Sequence, residues 1–180
     1  MLTHRIPLVG AVTYEEWVTI APWVGRLPLA LELLNGTLRL GGLTPFELSN
    51  RVGAPITVQL DAVMDSLRGE VESADLRGVS EAFLISYEKL TADEQRAARL
   101  LAQAAPEVIP AMFLDELPSV FTTRTRHTLT ARSFVSAAVH AISPTYGIMH
   151  PVLADFLRNQ ANDPVSEQLT FCEILLSARP

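Results

Sequence analysis

Thr13 and Glu16, Thr44 and Glu47, and Thr91 and Glu94 repeat one spacing, a threonine followed three positions later by a glutamate. This is the capping box, in which hydroxyl and carboxylate each satisfy a backbone N–H that a helix start would otherwise leave orphaned. Pro45 reinforces the second box, because proline at the first helical position gives up no useful donor. Each cap contributes about 1 kcal/mol, so three of them commit the chain to helices that begin at these points.

Amphipathic stretches follow the caps. Leu27, Leu31, Leu34 and Leu38 form one stripe of a helix that Gly41-Gly42 closes. Val58, Leu60, Val63, Met64 and Leu67 suggest a further short helix before Gly69. Val79–Leu90 carries Phe83, Leu84 and Tyr87 at helical spacing, and Ala92–Ala104 is rich in strong helix formers. Pro106 and Pro110 bracket a turn, and Ala111–Leu117 reads as a short helix stopped by Pro118. Near residue 134 the period changes. Phe134–Ile142 is compatible with a strand, Ser143-Pro144-Thr145 with a turn, and Tyr146–Met149 with a returning strand, which makes a small hairpin. Helices are then expected from Pro151 to Asn159 and from Pro164, capped by Asp163, through Phe171 and Leu176. The expected fold is mainly α: a helical bundle followed by a winged-helix domain with a small β-hairpin wing. The expected parts are residues 1–78, 79–160 and 161–180, the last beginning a C-terminal helical region, with the mixed-charge stretch Gly69–Gly78 as linker.

Composition removes several classes of function. Apolar residues make up 48% and charged residues 19%, enough for a substantial core and too ordered for a disordered chain. The net charge of −6 speaks against a general nucleic-acid coat. Cys172 is the single cysteine, which excludes an intrachain disulfide and a thiolate zinc cluster and fits a reducing compartment. On the apolar side of its helix it is expected to be an inert packed thiol. No apolar run approaches the ~20 residues of a membrane span, and Met1–Pro7 lacks a signal-peptide pattern. The expectation is a cytoplasmic protein that does not enter the membrane. His4, His127 and His140 fall at no metal-ligand spacing, and no G-x-S-x-G elbow is present.

Three segments, in order, resemble the NB-ARC subgroup of STAND-type signalling NTPases. Gly25-Arg26-Leu27-Pro28-Leu29 looks like the GLPL motif that opens a helix of the first ARC subdomain. Leu84-Ile85-Ser86-Tyr87-Glu88-Lys89-Leu90 resembles the segment that leads into the winged-helix subdomain. Tyr146-Gly147-Ile148-Met149-His150-Pro151 looks like the wing strand and the MHD-type motif in its "MHP" form. Together they cover the chain from about Tyr14 to Asn159. Arg26 stands where the motif often has glycine, and Pro151 where plant relatives carry aspartate.

The resemblance implies roles. Pro28 would lie near the adenine of ADP or ATP, and His150 would donate to the β-phosphate of ADP, latching the winged helix onto the nucleotide. Arg5, in Thr3-His4-Arg5, resembles the sensor-1 arginine that faces the terminal phosphate. A charge-assisted bond of this kind contributes about 1.5–3 kcal/mol, whereas swinging an equilibrium from 1:99 to 99:1 takes about 5.5 kcal/mol. One histidine therefore biases such a switch without constituting it. The chain contains no G-x-x-x-x-G-K-[ST] loop and no Walker B strand, so it is expected not to be an enzyme on its own. The implied function is signal transduction by a nucleotide-state-sensing regulatory domain. Its partners would be a nucleotide-binding core, in the same or another chain, and further copies when it oligomerises on activation. No metal is expected in this chain. The alternatives are a winged-helix DNA-binding transcriptional regulator and a plain protein-interaction module. For the first, Arg124, Arg126 and Arg132 in the acid-free run Thr122–Arg132 would meet phosphates and base edges, although three arginines supply few counterion-releasing contacts.

Overall fold

The computed structural model describes residues 12–52, 73–137 and 145–177. Over these residues the chain is mainly helical with one small two-stranded antiparallel sheet. It divides into two compact units, Met1–Lys89 and Leu90–Pro180.

The first unit contains α1 (Tyr14–Trp23), α2 (Pro28–Arg39), α3 (Pro45–Arg51) and α4 (Ser73–Glu88). The expected capping boxes are formed at both threonines. The Thr13 N–H donates to Glu16 Oε2 at 2.6 Å and the Thr44 N–H to Glu47 Oε2 at 2.8 Å, while each threonine Oγ1 accepts from the glutamate's own N–H at 3.2 Å. The helix expected around Val58–Leu67 lies outside the described residues. Leu31, Leu34 and Leu38 of the predicted stripe are buried, and α2 packs along α4, which also touches α1. The boundary expected at Gly78 therefore falls inside a continuous helix. Gly78 sits there because the end of α1 comes so close that a Cβ on it would lie 1.6 Å from the Trp23 carbonyl oxygen. Glu81, buried on the same helix, accepts from Arg51 Nη1 at 2.7 Å and ties α3 to α4.

The second unit contains α5 (Ala92–Ala102), β1 (Val108–Pro110), α6 (Ala111–Asp115), α7 (Thr123–Ala131), β2 (Thr145–Ile148), α8 (Pro151–Arg158) and α9 (Pro164–Ser177). Its elements run helix, strand, helix, helix and returning strand, helices with one small antiparallel sheet. The sheet differs from the expected hairpin. β2 pairs chiefly with Val108–Pro110, the stretch read as a turn between prolines, and Ser136 adds an isolated bridge to Ile148. Of the expected first arm, residues 138–142 lie outside the described residues. Gly147 permits the approach on that side, since a Cβ there would meet the Ser136 carbonyl oxygen at 2.4 Å. α5 is the hub, in contact with α7, α8 and α9. Arg158 of α8 donates to the carbonyls of Ala102 and Ala105, satisfying acceptors that the end of α5 exposes. Leu100, Phe121, Phe134 and Phe156 fill the core.

Among the described residues, two helix ends include a left-handed residue that is not glycine: Arg26, directly after the left-handed Gly25, and Ser133. α1 closes with Gly25 N–H on the Pro22 carbonyl at 3.0 Å and Arg26 N–H on the Ala21 carbonyl at 2.8 Å, a Schellman motif. Gly25 and Arg26 have φ of 59° and 54°. α7 closes in the same way, with Ser133 at φ 63°. A side chain in this region costs about 1–2 kcal/mol that glycine does not incur.

Two outcomes follow for urea denaturation. Arg26→Gly raises the unfolding free energy by about 0.5–1 kcal/mol, the strain relief less the extra freedom of the unfolded chain. Gly78→Ala lowers it by about 3 kcal/mol or more, because backbone rather than a flexible side-chain tip must yield. An unchanged midpoint for Gly78→Ala would mean that α1 and α4 do not meet there.

Candidate functional site

Three residues carry the nucleotide reading, and the fold treats them differently. Pro28 is exposed at the first position of α2, after the left-handed pair Gly25-Arg26. Arg26, which stands in place of the motif's glycine, thus holds the conformation that glycine adopts without strain. Leu27, the N-cap, supplies no side-chain acceptor, unlike the threonine caps of α1 and α3. Arg5 lies outside the described residues.

His150 is the N-cap of α8, two residues beyond the end of β2, and is exposed. Its Nδ1 accepts from the Val152 N–H at 3.3 Å. A neutral imidazole that accepts at Nδ1 carries its proton on Nε2, so the other nitrogen is a donor. Pro151 fits the motif's departure from aspartate on local grounds, being the first residue of the helix. Pro28 belongs to the first unit and His150 to the second.

The arginines of the DNA-reading alternative do not form one surface. Arg124 is exposed on α7. Arg126 donates from Nε to the Phe121 carbonyl and from Nη2 to Asp115 Oδ1, both at 2.7 Å. Arg132, only 7% exposed, is buried at the C-cap of α7, where no phosphate could reach it.

What the run of residue types did not reveal is the buried carboxylate whose charge Arg132 feels. Glu94, the capping-box glutamate of α5, is also buried. It accepts from the Thr91 N–H at 2.9 Å and feels the Arg132 charge. Burial pushes the Glu94 carboxyl up, but the Thr91 amide, the Thr128 and Thr91 hydroxyls and Arg132 together outweigh it and hold the carboxyl below its ordinary value. Burial likewise lowers the Arg132 guanidinium, with Glu94 opposing. Nε and Nη1 of Arg132 have no hydrogen-bond partner, and the guanidinium sits at the C-terminal end of α7, where the helix dipole favours a positive charge. Tyr146 of β2 donates to the Arg126 carbonyl at 2.6 Å and accepts from Thr130 at 3.3 Å, joining β2 to α7.

In the first unit a cleft of about 340 Å³ is lined by Leu43, Glu47, Asn50, Arg51, Ile85 and Lys89, among others. Neither Pro28 nor His150 lines it. Among the described residues no three His, Cys, Asp or Glu side chains gather to hold a metal ion, and no helix is long and apolar enough to cross a membrane. Cys172 departs from expectation: it is exposed, because α9 turns its other side inward. Comparisons with family models, curated proteins and solved structures gave no match.

The buried Glu94 carboxylate predicts a pH-dependent phenotype. Glu94→Gln removes the carboxylate that accepts from the Thr91 amide and whose charge Arg132 feels, and lowers stability at neutral pH by about 1 kcal/mol. Since the folded-state carboxyl is held below 4.5, its contribution is present above that value and is lost as pH falls through the lower, folded-state value. The gap between wild type and variant in urea melts therefore narrows below pH 4.5 and closes in stronger acid. A gap independent of pH would exclude a charge interaction as its cause.

Proposed function

We propose that this chain is the helical and winged-helix portion of a STAND-type nucleotide switch, a regulatory domain rather than a catalyst. The observation that carries the reading is His150, an exposed N-cap two residues beyond the end of β2, with its Nε2 proton free to donate. Supporting it are the three motif-like segments in order, the helix–strand–helix–helix–strand sequence of the second unit, and the left-handed Arg26 at the position where the motif favours glycine. With ADP bound to a nucleotide-binding core, His150 Nε2 donates to a phosphate oxygen and holds the winged helix closed. Exchange to ATP releases it, and copies assemble. The single cysteine fits a cytoplasmic, reducing setting.

The DNA-reading alternative draws less support. With Arg132 buried and Arg126 engaged by Asp115, Arg124 is the one arginine of the three without a carboxylate or burial to account for it. A plain interaction module needs none of the motif order.

Two substitutions separate cap from latch. Asparagine caps a helix at least as well as histidine but cannot reach as far or present Nε2. In a polypeptide that carries the nucleotide-binding core, His150→Asn and His150→Ala both assemble without stimulus, measured by light scattering. His150→Asn melts within about 0.5 kcal/mol of wild type, and His150→Ala is destabilised by about 1 kcal/mol. A His150→Asn protein that keeps the wild-type size would remove the latch.

A further inference from the structure

The cleft of the first unit lies between α3 and the end of α4. α3 carries Glu47 and Arg51 four residues apart, and α4 carries Glu81, Ile85 and Glu88 at spacings of four and three, so each set shares one helix face. Buried Leu43 and Ile85 give the cleft its apolar lining. Glu81 is 4% exposed, and by accepting from Arg51 Nη1 at 2.7 Å it fixes the guanidinium from behind. Nε and Nη2 of Arg51 have no partner among the described residues. The cleft's charges are two bases and two acids. A simple anion therefore meets Glu47 and Glu88, and a simple cation meets Arg51 and Lys89. A molecule that bears both signs finds a complement for each. Glu47 is already committed, since Oε2 accepts from the Thr44 N–H at 2.8 Å and Oε1 lies 3.7 Å from Lys89 Nζ. That leaves Arg51 and Glu88, which is exposed and in no ion pair among the described residues.

We propose that this cleft binds a small zwitterion with an aliphatic side chain, of the class of a free α-amino acid. Its carboxylate accepts from Arg51 Nε and Nη2, a two-bond contact that the planar guanidinium is shaped for. Its ammonium donates to the Glu88 carboxylate, and its side chain lies on Leu43 and Ile85. The volume of about 340 Å³ is at the lower end of small-molecule sites and suits a ligand of this size. Arg51 and Glu88 are both exposed, so each ion pair contributes little and the affinity is millimolar. The site lies wholly in the first unit and does not depend on the nucleotide reading.

NMR titration of the isotope-labelled 180-residue chain with leucine tests it. The backbone amides of Leu43, Ile85 and Glu88 shift and saturate in the millimolar range. N-acetyl-leucine, which lacks the ammonium, binds about fivefold more weakly, and Glu88→Gln weakens leucine by a similar factor while leaving N-acetyl-leucine unchanged. Arg51→Gln would leave the buried Glu81 carboxylate unpaired and destabilise the fold. Arg51→Lys is therefore the second variant: it keeps the charge, loses the planar fork and weakens both ligands. No saturable shift with leucine at tens of millimolar would overturn the site. N-acetyl-leucine that binds as tightly as leucine, or a Glu88→Gln chain that loses affinity for both alike, would overturn the zwitterion.

Discussion

A chain built from short helices consists largely of helix ends, and satisfying those ends is the condition on which the rest of this structure depends. Each helix leaves four N–H and four carbonyl groups without internal partners, and a helix under about 12 residues is marginal by itself. Here α3 has 7 residues, α8 has 8 and α7 has 9. The threonine–glutamate boxes close the starts, while the Schellman turns at Gly25-Arg26 and Ser133 close two stops. Arg158 supplies donors where α5 ends, so one side chain both terminates a helix and joins two of them. At the other end of α5, Glu94 completes a cap and carries a charge that Arg132 at the end of α7 feels.

This explains which parts of the fold were legible. Helix starts advertise themselves in residue type, so α1, α2, α3, α5, α8 and α9 were found at or within a residue of their first position. The stop of α2 was legible at Gly41 but that of α7 at Ser133 was not, because a serine in the left-handed region has no distinctive local pattern. β1 was missed for a different reason. Three residues between prolines are too few to alternate, and their partner at Ile148 is forty residues away in sequence. α4 begins ahead of the expected Val79 and runs through Gly78, since the glycine serves contact with the end of α1 rather than a break. Cys172 was misjudged because α9 is apolar on both sides, so periodicity could not tell which one packs; Arg99 and Phe113 decide it.

The candidate site was legible only where function coincides with a helix start. Pro28 and His150 are both such positions, and each carries a local structural role, at N1 and as N-cap, that the nucleotide reading adds to rather than replaces. The arginines of α7 show the converse. As a run of residue types they form one basic patch, yet folding sends Arg132 inward, binds Arg126 and leaves Arg124 outside. Burial and tertiary pairing, which no local pattern encodes, separate them.

The regulatory reading requires a phosphate-cradling loop that this chain does not itself contain. The most direct test is mass-spectrometric sequencing of the native polypeptide and its stoichiometric partners, isolated with an antibody against this chain. The account predicts a G-x-x-x-x-G-K-[ST] segment, either in the same polypeptide or in a partner present in equal amount. Native material that contains this chain with no such segment in itself or in any stoichiometric partner would contradict it.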